Sequence, residues 1–117
     1  MNGLAVALLV GAGGALGAIS RYAVGTRFPG PTATLLVNVL GSAGAGGILA
    51  AGVPDTVAAM AAVGFCGAFT TFSSFAVEVA DRLDRGDRYG AGWYAGATLA
   101  TAVLGAVVGI VVVTWLS

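Results

Sequence analysis

The sequence predicts an all-α integral membrane protein with four transmembrane helices, the third of them broken mid-membrane. Three observations carry this. Of 117 residues, 58% are hydrophobic and only 9% charged, with a mean hydropathy of +0.97, which is membrane composition. The apolar residues fall into four runs of roughly 20 residues, each long enough to cross a bilayer. The third run contains Gly64–Phe75, GFCGAFTTFSSF, in which two glycines precede Thr70, Thr71, Ser73 and Ser74. Glycine loosens a helix by about 1 kcal/mol against alanine, and unpaired backbone at membrane depth survives only where protein or a water-filled path covers it.

The first span covers about residues 3–20 and carries Gly13 and Gly17 at the spacing of close helix contacts. Arg21 and Tyr22 end it as interface anchors, and Arg27, Phe28, Pro29, Gly30 and Pro31 make a turn. No basic region precedes this span and it is long enough to remain in place, so no cleavable signal is expected. The second span, about 32–51, places Thr34, Asn38 and Ser42 on one helix face. A membrane-buried Asn needs partners for its amide; an interhelical hydrogen bond and a wet polar track both supply them. Gly52, Val53, Pro54 and Asp55 form the next turn.

The third span, about 56–80, places Phe72, Phe75 and Glu78 at three-residue intervals on one face. Core packing and a pathway lining are both open for the two rings, and a polar helix contact remains open for the hydroxyls. Asp81–Arg88, DRLDRGDR, reads as a solvated loop or helix end to which no chemistry is assigned. The fourth span, about 89–116, carries a second polar stripe of Tyr94, Thr98, Thr101 and Gly105, with Tyr89, Trp93 and Tyr94 at one end and Trp115 at the other. One four-helix domain thus fills residues 1–117. Four short helices barely enclose a pathway, so an oligomer is expected.

Composition excludes several functions. The net charge is zero and there is no His, so no nucleic-acid partner and no zinc or redox site is expected; the single Cys66 reads as a small packing residue. No nucleophile–base pair or phosphate loop points to an enzyme. The spans hold no midplane carboxylate, which a cation or proton pathway would need. They hold hydroxyls at Thr71, Ser73 and Ser74, the Asn38 amide and aromatic edges, whose positive rims suit an anion, and Arg21 places a cation at one mouth.

GFCGAFTTFSSF with Glu78, GGALGAISRY at Gly13–Tyr22 and TLLVNVLGS at Thr34–Ser42 together resemble the Fluc (CrcB-type) fluoride channels, over the whole chain. Two departures stand out: Ala68 where that family usually has Gly, and Ser74 where it usually has Thr. The resemblance implies an antiparallel dimer with two pores that passively exports fluoride across the plasma or inner membrane. It implies that Asn38 helps coordinate the ion, that Phe72 and Phe75 line the pores with ring edges, and that hydroxyls of the fourth span, here Thr98 and Thr101, line a polar track. It also implies a structural sodium ion at the dimer centre on the backbone carbonyls of Gly67 and Thr70, where hard oxygens suit a hard cation. A small multidrug-resistance-type exporter, the alternative, needs a carboxylate in its first helix, and Gly3–Ser20 has none. A purely structural membrane subunit would leave the polar stripes without a role.

The charges also carry an orientation signal. Arg21, Arg27, Arg82, Arg85 and Arg88 flank the first and third links, and the second link and both tails have no Arg or Lys. Such bias sets one orientation, here with both termini outside the cytoplasm. The antiparallel partner is then an oppositely oriented homologue, the alternative being a second copy of the chain inserted the other way.

Overall fold

The computed structural model describes residues 2–117, and among these every regular element is helical. Helix α1 is Gly3–Arg27, capped by the Asn2 side chain, which accepts from the Ala5 N–H at 2.8 Å. Helix α2 is Gly30–Ala50, with Pro31 in its first turn, where a missing N–H costs nothing. Asp55–Ala58, the π-helical Ala59–Cys66 and Gly67–Phe69 form one continuous rod, α3. Helix α4 is Phe72–Asp84 and helix α5 is Arg88–Leu116, capped by Asp87 on the Gly90 N–H at 2.8 Å. The tight links before α3 and α5 turn at Gly52 (φ 69°) and Gly86 (φ 79°), left-handed positions that favour glycine.

Helix α1 packs along α3, and α2 packs along α5. Backbones meet in both pairs: a Cβ on Gly13 would collide with the Met60 carbonyl and one on Gly17 with that of Phe65, while one on Gly46 would collide with Ala106 and one on Gly109 with Ala43. Such close approach is how helices associate where lipid removes the hydrophobic drive. A step of four residues on α1 meets a step of five on α3, in the segment where i→i+5 hydrogen bonding replaces the α pattern. Contacts advance together along both pairs, so each pair is parallel. Gly41 against Thr70 and Gly44 against Cys66 run the other way, so α2 is antiparallel to α3. The chain therefore goes up and down, and its first and third links lie at one end with all five arginines.

Four helical stretches are long and apolar enough to cross a membrane: Gly3–Arg27, Gly30–Ala50, Asp55–Asp84 and Arg88–Leu116. Large side chains point outward, with Leu8 66%, Ile19 64%, Val63 66% and Leu104 60% exposed, while Val37 is the largest fully buried one. That suits a lipid surround.

The helices outrun the expected spans. Helix α1 does not end at Arg21 and Tyr22 but continues to Arg27, because hydrogen bonding persists past the first charge. Residues 30 and 31 begin α2 rather than belonging to the link. The third stretch reaches Asp84 instead of Ala80, its last turn carrying Asp81, Arg82 and Asp84.

Candidate functional site: an amide-clamped helix interruption between two cavities

The site is built where the helical hydrogen bonding of the third span is interrupted. Thr70 (φ −79°, ψ 161°) and Thr71 (φ −147°, ψ 119°) are extended, so α3 and α4 do not share a continuous hydrogen-bond ladder. The Asn38 side chain of α2 closes the gap. Its Nδ2 donates to the Thr71 carbonyl at 3.1 Å, and its Oδ1 accepts from the Thr71 N–H at 2.8 Å. One amide thus satisfies both polar groups of a buried backbone unit, as burial requires. The Thr71 hydroxyl caps α4 by accepting from the Ser74 N–H at 3.1 Å and lies 3.3 Å from the Ser73 hydroxyl. The Thr70 hydroxyl turns back onto the Cys66 carbonyl at 3.0 Å, and Arg21 reaches the Thr70 carbonyl at 3.3 Å.

Two cavities flank this clamp, and Thr71 is the residue common to both. One, of about 250 Å³, is lined by Asn38, Ser42, Thr70, Thr71, Phe72, Phe75, Thr98, Leu99 and Ala102. None of these residues is ionisable. The Thr98 hydroxyl is buried and has no hydrogen-bond partner among the described residues, a costly state unless something enters to accept or donate. The other cavity, of about 290 Å³, opens toward the arginine-rich end and includes Arg21, Thr34, Ser74 and Glu78. There the Glu78 carboxylate accepts from the Thr34 hydroxyl at 2.7 Å and from the Tyr94 hydroxyl.

The structure brings together Asn38, Thr71, Phe72, Phe75 and Thr98 around one cavity, and Arg21 and Ser74 around the other. Ser73 faces outward beside Val77. Thr101 lines neither cavity; its hydroxyl donates to its own helix at the Ala97 carbonyl, 2.6 Å away. Gly67 is exposed and Thr70 is half-buried. Sequence reasoning noticed the Thr34–Asn38–Ser42 face but not the Thr34–Glu78–Tyr94 linkage, whose only signal was Glu78 falling three residues after Phe75.

Residues 8–110 match the family described as CrcB-like protein, Camphor Resistance (CrcB). The chain belongs to this family. Among its CrcB-like relatives is a protein of Natronomonas pharaonis named Fluoride-specific ion channel FluC 2, 49% identical over 108 residues that cover 92% of this chain and 93% of the relative. A protein of Nitrobacter hamburgensis named Fluoride-specific ion channel FluC 1 is 36% identical over 91% of this chain and 93% of its own length. One of Haloarcula marismortui, also named Fluoride-specific ion channel FluC 2, is 52% identical over 67% of this chain and 68% of its own. With four membrane-length helices, this CrcB-like chain is a multi-pass membrane protein.

Proposed function

We propose that the protein is a fluoride-specific ion channel, not an enzyme, that lets fluoride leave the cytoplasm passively across the cell membrane. The observation that carries this reading is the cavity shared by Asn38, Phe72, Phe75 and Thr98. It offers an amide, an unpartnered hydroxyl and ring edges but no carboxylate. Fluoride is small and strongly hydrated, and a pathway must replace its water with close donors. Relatives named as fluoride-specific channels support the choice of ion. Thr71, Ser74 and Arg21 lead into the site from the arginine-rich end, and Ser73 and Thr101 serve it only if their present hydrogen bonds are exchanged.

The Thr70–Thr71 interruption falls roughly midway along the 30-residue Asp55–Asp84 stretch, so we place it near the bilayer centre. Phe72, 79% exposed on one subunit, and the neighbouring Gly67 and Val63 form the surface for an antiparallel partner. A structural sodium ion at that contact suits the carbonyls there. The Thr71 N–H, diverted to Asn38, leaves the Gly67 carbonyl without its helical donor and with only the Thr70 hydroxyl, 3.4 Å away. The Thr70 carbonyl would exchange Arg21 for the cation.

Proteoliposomes that carry the protein together with its antiparallel partner and are loaded with sodium fluoride are expected to empty rapidly once the membrane potential is relieved, and those loaded with sodium chloride to retain their ion. Equal rates would sink the fluoride reading; full activity in protein purified and assayed with no sodium would remove the structural cation. The five arginines at one end further favour an oppositely oriented homologue as partner. C-terminal reporter fusions expressed alone should then signal only outside the cytoplasm, and equal signals on both sides would indicate a homodimer.

A further inference from the structure

Beyond its share in the charge bias, Arg82 has no assigned role, and no acidic side chain lies within ion-pair distance of it among the described residues; the neighbouring ion pair is Arg85 with Asp81 at 3.0 Å. Its guanidinium carbon instead sits 4.4 Å from the centroid of the Tyr94 ring, and its Nη1 donates to the Glu78 carbonyl one turn back at 3.4 Å. Phe75, Glu78 and Arg82 are spaced i, i+3, i+7 along α4 and present one face to α5. All three engage Tyr94: Phe75 stacks on it with centroids 5.7 Å apart and planes at 27°, Glu78 accepts from its hydroxyl, and Arg82 covers the ring. Phe72 follows in the same series, 5.6 Å from Phe75.

We infer that Arg82 is a positioning residue for the pathway: its cation on the Tyr94 ring fixes the ring that Phe75 leans against and keeps the Tyr94 hydroxyl on the Glu78 carboxylate. This rests on the proposed channel function. A guanidinium on a Tyr face is attracted by the ring quadrupole. The planar, weakly hydrated Arg head suits that place at the edge of the apolar layer. With Arg82 absent, Tyr94 is free to tilt, the Phe75 edge moves with it, and the carboxylate loses a donor beside an anion path.

The test compares Arg82→Met, Tyr94→Leu and the double variant by unitary current in sodium fluoride across planar bilayers, with Arg85→Met as control. Alongside it, protein labelled with 3-fluorotyrosine is studied by 19F NMR. Arg82→Met is expected to lower the fluoride current roughly two- to fivefold, the range of a partly exposed cation–π contact, and to have no further effect in the Tyr94→Leu background. Arg82→Lys, which keeps a cation over the ring, should retain most of the current, and it serves where Arg82→Met fails to fold. The Tyr94 resonance should move in Arg82→Met and stay in place in Arg85→Met. An equal fractional loss with and without the Tyr94 ring would make Arg82 a mere surface charge and overturn the inference, as would an unmoved Tyr94 resonance. Wild-type protein that passes no fluoride even with its antiparallel partner present would defeat the channel reading instead, and the Tyr94 resonance alone would then decide for or against the contact.

Discussion

Asn38→Ala is expected to abolish the fluoride current and to lower the melting temperature of the purified protein. The amide makes two hydrogen bonds to one buried backbone unit, at 2.8 and 3.1 Å, and alanine replaces neither. A buried donor or acceptor left unpaired costs about 1–3 kcal/mol, so losing both partners costs about 2 kcal/mol at the least. The helix ladder cannot take them back while Thr70 and Thr71 remain extended. Asn38→Asp keeps an acceptor for the Thr71 N–H but sets a carboxylate oxygen against the Thr71 carbonyl, and it adds negative charge to an anion path. It should therefore be no better than alanine. Wild-type melting by size-exclusion thermal challenge in Asn38→Ala would show that the clamp contributes little.

Phe72→Ile and Phe75→Ile should each lower the fluoride current while separating in their effect on stability. An edge contact worth about 1.4 kcal/mol at the limiting barrier corresponds to roughly a tenfold loss. Phe72 is 79% exposed, so its replacement should barely change the fold of the chain. Phe75 stacks on Tyr94 at 5.7 Å, and aromatic pairs add about 0.5–1.5 kcal/mol beyond area, so Phe75→Ile should also melt earlier. Isoleucine keeps apolar bulk but has no positive ring edge. A double variant that stays folded and conducts as the wild type does would rule out a pathway role for both rings.

Much of this was legible in the sequence because membranes impose few solutions. Four apolar runs, the glycine spacing of residues 13 and 17, and the Gly64–Phe75 cluster announced the spans and the close helix contacts. Thr34, Asn38 and Ser42 announced one polar face. What stayed hidden depended on rotation between helices, which no single run encodes. Asn38 and Thr71 lie far apart in the chain, and nothing local says that this amide pairs with that backbone unit. Thr98 and Thr101 looked equivalent on the α5 stripe, yet one hydroxyl is buried at the cavity and the other bonds its own helix. The π-helical segment Ala59–Cys66 left no mark in composition, since small residues fit an α-helix as well. Arg82 was hidden inside an alternating charge run whose other members are solvated.

In the proposed function, the cavity between Asn38 and the two phenylalanines belongs to a path that accepts fluoride and refuses other anions. Its most direct test is the reversal potential across a planar bilayer with sodium fluoride on one side and sodium chloride at equal concentration on the other. A large potential of the sign set by fluoride alone is expected, growing as the fluoride gradient is steepened and indifferent to chloride. A potential near zero, with currents carried equally from both sides, would contradict it.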